Sequence, residues 1–196
     1  MSALEPLFAE AERILAAPLE PDHPRARQLI QQLEQLAAQT PRAADRSYAY
    51  QARLYALLQE YENAVAAVER AIALMPTDST LLILRGDIHK QFEDYSQALL
   101  DYSQALESHP SAVTARMHRA EVFQAKGRYS EALEDINTAL QREPRSLRLL
   151  YRRGLILVDM RRVNEAMNDF RAVARLSPEA ELKRKAEQRL HELGER

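Results

Sequence analysis

The sequence predicts an all-α solenoid of stacked helical hairpins, and three observations carry that expectation. Pro76, Pro110, Pro144 and Pro178 stand 34 residues apart, and a fixed interval of that length marks one supersecondary unit repeated along the chain. Small residues keep the same register: Ala64, Ala98, Ala132 and Ala166 lie twelve residues upstream of the prolines, and Ala71, Ala105 and Ala139 lie five upstream, with Val173 in the fourth copy. Tyr61, Tyr95 and Tyr129 lie fifteen upstream, with Val163 fourth, while Gly86, Ala120 and Gly154 share a further slot with Ala52.

Each copy holds two segments of about 13 residues whose apolar side chains recur at helical spacing. The Ala and Gly slots fall where the two helices of a hairpin must approach closely. Proline ends the second helix, because it lacks an N–H and clashes with the preceding turn. Gly127 follows a first helix, where a left-handed cap is favoured. Asp78, Ser79 and Ser111 follow prolines, where an N-cap should open the next helix. These signals divide the middle of the chain into four repeats, 45–78, 79–112, 113–146 and 147–178.

The stretches "AYQARLYALLQEYENAVAAVERAIALMP", "LRGDIHKQFEDYSQALLDYSQALESHP", "HRAEVFQAKGRYSEALEDINTALQREP" and "YRRGLILVDMRRVNEAMNDFRAVARLSP" resemble the tetratricopeptide repeat (TPR) family. Its repeats run 34 residues with this small-residue, tyrosine and proline signature. Leu82, Arg116 and Leu150 stand where the family usually has an aromatic, which Tyr48 keeps. The resemblance implies a right-handed TPR α-solenoid and a non-enzymatic protein–protein interaction module, an adaptor or scaffold that binds a partner peptide or helix in its concave groove. The alternatives are a secretion-type TPR chaperone dimerising through its N-terminal helices, or a structural subunit of a larger assembly.

An open stack must hide the apolar faces of its terminal repeats. Residues 179–196 fit a capping helix, with Leu182, Ala186, Leu190 and Leu193 on one face. Residues 1–44 read as a helical pair, a degenerate repeat or cap. Leu4, Leu7, Phe8, Ala11, Ile14 and Leu15 make one stripe, Leu29, Ile30, Leu33, Leu36 and Ala37 a second, and a connector with Pro18, Pro21 and Pro24 joins them. The same pair is a candidate dimerisation element, so a homodimer stays open.

In TPR proteins the first helix of each hairpin lines the groove, and helical geometry selects the inward positions. They are Arg46, Tyr50 and Arg53 in the first copy, Ile83, Leu84 and Asp87 in the second, Met117, His118 and Glu121 in the third, and Arg148, Tyr151 and Arg152 in the fourth. Tyr50, Ile83, Leu84, Met117 and Tyr151 would form an apolar stripe that either stays open, as patches marking binding surfaces often do, or is buried by the N-terminal pair or the tail folding into the groove. Arg148 and Arg152 lie one turn apart, placed either to meet one carboxylate or phosphate together or to stand solvated beside glutamate neighbours. Chaperone-binding TPR members clamp a peptide carboxylate with Lys, Asn and Arg residues. Here the Asn slots hold Arg53 and Leu84, or Asp87 and His118, and Asp87 and Glu121 would repel a carboxylate, which argues against that role.

Composition narrows the function classes. The formal net charge is −2, which argues against a general nucleic-acid binder. The balance is uneven: Arg145 to Arg196 carry 13 Arg or Lys against 8 Asp or Glu, a surplus of +5, leaving −7 on the first 144 residues. A basic end of this kind either is solvated or attracts an acidic segment. There is no cysteine, and no two of His23, His89, His109, His118 and His191 have the i, i+4 spacing of paired ligands. His89 takes a slot held by Tyr55, Phe123 and Leu157, so it reads as a packing residue. Asp87 and Glu121 are one repeat apart but lack a nucleophile or a glycine-rich loop. No catalytic residue, metal or cofactor is expected. No apolar run approaches the roughly 20 residues of a membrane span, and acidic Glu5, Glu10 and Glu12 replace the basic start of a secretory signal, so the expected location is cytoplasmic.

Overall fold

The computed structural model describes residues 4–16 and 23–194; the connector prolines Pro18 and Pro21 lie outside the described residues. Among them every regular element is helical: α1 (Leu4–Leu15), α2 (His23–Gln39), a 3-10 turn (Pro41–Ala43), α3 (Ala44–Leu57), α4 (Tyr61–Leu74), α5 (Ser79–Gln91), α6 (Tyr95–Ser108), α7 (Val113–Ala125), α8 (Tyr129–Arg142), α9 (Leu147–Asp159), α10 (Val163–Leu176) and α11 (Ala180–Glu192). The chain divides into two compact units, residues 1–108 and 109–196. The first contains α1, α2 and the hairpins α3/α4 and α5/α6; the second contains α7/α8, α9/α10 and α11.

Each hairpin turns in the same way. The residue two past the first helix has a left-handed backbone in all four copies: Gln59 (φ 61°), Glu93 (φ 62°), Gly127 (φ 72°) and Arg161 (φ 60°). The next amide then reaches back to a carbonyl five residues earlier, as in Glu60 N to Tyr55 O (2.9 Å) and Arg128 N to Phe123 O (2.8 Å), the bond that closes a helix C-terminus. Glycine adopts this conformation without cost, whereas the other three side chains hold it against a penalty of about 1 kcal/mol each. At the opposite end Asp78 caps α5, its side chain accepting from Thr80 N. The cap expected at Ser111 falls instead on Ala112, which offers no side-chain bond, because α7 begins at Val113.

Two matched pairs, both sixteen residues apart, hold the hairpins shut. In the first, the size of the small slot sets the size of its partner. Gly86 faces Tyr102 and Gly154 faces Phe170, and a Cβ on either glycine would lie 2.7 Å and 2.6 Å from the ring. Where the slot is Ala120 or Ala52, the residue sixteen on is Ile136 or Val68, all nearly inaccessible. In the second pair an arginine on the first helix meets an aspartate on the second: Arg85 with Asp101 (2.6 Å), Arg119 with Asp135 (2.7 Å) and Arg153 with Asp169 (2.8 Å). The aspartates are only 3%, 4% and 6% exposed, so the charge-assisted bonds satisfy carboxylates that burial would otherwise penalise. In the first hairpin the slots hold Gln51 and Ala67, and Gln51 donates to the Ile30 carbonyl.

Apolar clusters fill each unit. In the first, Phe8, Ala11 and Ile14 of α1 pack with Leu29, Leu33, Leu54 and Leu58, and a second cluster centres on Ala64, Val68 and Ile88. In the second unit, Ile136, Leu149 and Ile156 form one cluster. Ala186 and Leu190 of α11 join Leu157, Phe170 and Val173 in another, so α11 covers the apolar face of the last hairpin.

Candidate functional site

The groove positions on the first unit are largely met by its own N-terminus. α1 lies against α3: Glu5 pairs with Arg46 (3.1 Å) and Glu12 with Arg53 (2.7 Å). Between them the Phe8 ring stacks on Tyr50 with centroids 5.2 Å apart, and the Arg46 guanidinium sits 4.0 Å over Phe8. Burial, with a hydrogen bond to Glu12, pushes the Tyr50 hydroxyl above its ordinary pKa. The hydrogen bond from Arg53 holds Glu12 below the usual carboxylate range. At Tyr50 the chain's own N-terminal helix thus covers the apolar stripe, the alternative to an open groove. A signal for this contact was present, since Glu5 and Glu12 are seven residues apart, as are Arg46 and Arg53. Leu84 and Asp87 border a small depression of about 310 Å³ beside Leu15 and Leu57. Ile83 is half-buried and lies outside that lining. Asp87 accepts a 2.7 Å bond from the Tyr102 hydroxyl.

In the second unit the structure brings all six expected residues together. Met117, His118, Glu121, Arg148, Tyr151 and Arg152 line one depression of about 650 Å³, with Leu182, Lys185 and two glutamates of the α11 segment forming the far wall. Met117, Tyr151, Leu155 and Leu182 give it apolar ground, and Tyr151 packs on the Phe170 ring 5.5 Å away. The two arginines diverge rather than converging on one anion: Arg148 pairs with Glu179 (2.9 Å) and Arg152 with Glu121 (2.6 Å). Both pairs are partly exposed and contribute little stability. The wall from α11 was missed in the sequence, although Leu182 falls one 34-residue step beyond Arg148.

His89 is buried, as its packing slot implies, and its Nδ1 lies 2.8 Å from the Tyr61 hydroxyl. Among the described residues no group of three or more His, Asp or Glu side chains is arranged to hold a metal ion, and no helix is long and apolar enough to cross a membrane.

Residues 20–167, about three quarters of the chain, match the tetratricopeptide repeat protein 21 N-terminal ARM repeat family. The chain belongs to that family. Solved structures of TPR proteins share its fold. TTC0263, a thermophilic TPR protein of Thermus thermophilus, superposes with a TM-score of 0.76 over 96% of this chain and 100% of that one at 15% identity. MamA from Desulfovibrio magneticus RS-1 gives 0.67 over 93% and 96% at 15% identity. YrrB, described as a TPR protein with an unusual peptide-binding site, gives 0.63 over 94% and 92% at 16% identity. No protein of curated function matches in sequence. The fold is thus the all-α TPR solenoid, a repeat architecture that serves generally as a non-catalytic scaffold for protein–protein interaction.

Proposed function

We propose that this TPR protein is an adaptor that holds a partner peptide or helix in the depression of its second unit, at Met117, Tyr151, Leu155 and Leu182. The observation that carries this reading is the convergence of six groove residues from α7 and α9 with a wall from α11 around a hollow of about 650 Å³. The paired arginines and glutamates at its rim would turn their partners outward to a ligand, so the apolar floor supplies affinity and the rim supplies register. Burying about 400 Å² of apolar surface is worth roughly 10 kcal/mol before association costs remove much of it, which places the affinity near micromolar.

In this reading residues 1–44 close the front of the stack, 45–178 form the four repeats, and 179–196 close the rear while framing the groove. Burial of Phe8, Ala11 and Ile14 within the first unit supports a capping role for the N-terminal pair over dimerisation, because its apolar side is already covered. The test is capture of partners from the native cell by wild type and by a Met117→Ala/Tyr151→Ala variant, with circular dichroism to show that both fold. A loss of about tenfold or more in a specific partner is expected; an unchanged set of partners would remove the groove from consideration.

A further inference from the structure

We infer that a second docking surface, separate from the groove, lies in the cleft between α10 and α11 and takes an acidic peptide segment of a partner protein. The cleft encloses about 600 Å³, with Arg171, Arg175 and Lys183 around it, Asn168 and Glu187 beside them, and Ala172, Ala174 and Leu190 as an aliphatic floor. Among the described residues Glu187 is the one acidic side chain lining it, and it is engaged by Lys183 at 3.9 Å.

Three further observations distinguish this cleft from an ordinary solvated face. Arg148, Arg152, Arg153, Arg162, Arg184 and Arg189 of the same unit each have a carboxylate partner; of Arg142, Arg145, Arg161 and Arg175, whose side chains have no hydrogen bond or ion pair with any described residue, Arg175 is the one that lines this cleft. The basic pair belongs to the last hairpin alone: the slots of Arg171 and Arg175 hold Asn137 and Gln141, Ser103 and Glu107, and Glu69 and Ala73 in the earlier copies. The repeat therefore does not require these charges for stacking. Finally, Leu176, next to Arg175 at the end of α10, stays 57% exposed, giving the rim an apolar contact.

The geometry defines the ligand. Arg171 and Arg175 are four residues apart on one helical face, about 6 Å between side-chain origins. Two carboxylates one helical turn apart, or two residues apart in an extended strand at about 7 Å, would meet both guanidinium groups. A small or branched apolar residue between or beside those carboxylates would sit on the alanines and Leu190. A protein segment satisfies both requirements; the aliphatic floor offers nothing to a phosphate backbone, and the chain as a whole is acidic.

The test uses the full chain and a fluorescein-labelled twelve-residue peptide with Glu pairs flanking Leu, against the same peptide with Gln for Glu, read by fluorescence anisotropy at low and high salt. Arg171→Glu/Arg175→Glu should weaken binding of the acidic peptide at least tenfold, roughly the loss of two charge-assisted contacts. Arg145→Glu, a single charge reversal outside the cleft, and Tyr151→Ala in the groove should leave it within twofold. The Gln peptide should bind at least tenfold more weakly, and added salt should weaken the acidic one. Four results would overturn the inference: no binding up to about 1 mM, equal loss in Arg145→Glu, tighter binding of a single-stranded oligonucleotide of matched charge, or concentration-dependent dimerisation that the double variant abolishes, which would make the occupant a second copy of this chain. Circular dichroism melts show that each variant folds.

Discussion

Replacing Gly154 by Ala should destabilise the second unit, although helix propensity alone predicts the reverse. In an open helix that exchange gains about 1 kcal/mol. Here the new methyl would sit 2.6 Å from Phe170 Cε1, 2.9 Å from Cζ and 3.0 Å from Cδ1, against a comfortable separation of about 3.5–4 Å. Phe170 is fully buried, so the ring must shift by about 1 Å into neighbours already in contact. Overpacking of this kind costs about 1–3 kcal/mol, leaving a net loss of about 1 kcal/mol, or about 2–4 °C in Tm for a chain of this size. The neighbouring hairpin shows the remedy, because there Ala120 faces Ile136. Phe170→Ile alone opens space over Gly154 and should cost about 1–2 kcal/mol. The double variant should therefore be more stable than the two single losses added together, by about 1 kcal/mol or more. Urea unfolding followed by circular dichroism at 222 nm closes the cycle. A Gly154→Ala variant more stable than wild type, or a strictly additive double variant, would refute the size-matching argument.

Two further outcomes follow from the same hairpins. Arg161→Gly should raise stability by about 0.5–1 kcal/mol, because Arg161 holds the left-handed backbone (φ 60°) that Gly127 adopts freely in its own turn; a thermal melt checks the sign. His89 should make the first unit acid-sensitive. Burial, opposed by Asp101 and Asp94, pushes its ring below the ordinary 6.5, with Arg85, Glu69 and Tyr61 also nearby. The unfolded chain thus binds the proton more readily, so this contribution is complete above about pH 6.5 and is lost as pH falls through the lower folded value. His89→Phe, the residue of the equivalent slot in α7, should flatten the dependence of urea stability on pH between about 5 and 7, and an unchanged slope would count against the burial argument.

The helical hairpins were legible because their causes are local and periodic. A proline stops each second helix, and an alanine or glycine marks each close approach, so four positions per turn type announce one geometry. The arginine–aspartate pairs left an equally periodic trace that was missed in the sequence: Arg85, Arg119 and Arg153 keep the 34-residue step, as do Asp101, Asp135 and Asp169. Among groove residues, the positions on α7 and α9 could be chosen from helical phase, since phase alone decides which side of a helix is free. Coverage by α1 could not, because that helix precedes the 34-residue comb, and the matching seven-residue spacings of Glu5/Glu12 and Arg46/Arg53 mark a contact only once the helix is placed against α3. The fates of Arg148 and Arg152 were hidden for a related reason. Their glutamate partners come from different helices, so spacing along α9 could not show that the guanidinium groups part company.

The two sixteen-residue matches, glycine to aromatic ring and arginine to aspartate, both begin and end inside one hairpin. Whole hairpins could thus be duplicated, lost or exchanged during evolution without orphaning a charge or misfitting a ring. A crossover inside the turn would be punished, because joining α7 to α10 sets Ala120 against Phe170, while joining α3 to α6 sets Ala52 against Tyr102 and leaves Asp101 facing Gln51. Viable recombinants should break between hairpins, near the prolines, making each 34-residue block a heritable cassette whose internal fit is settled before it meets its neighbours.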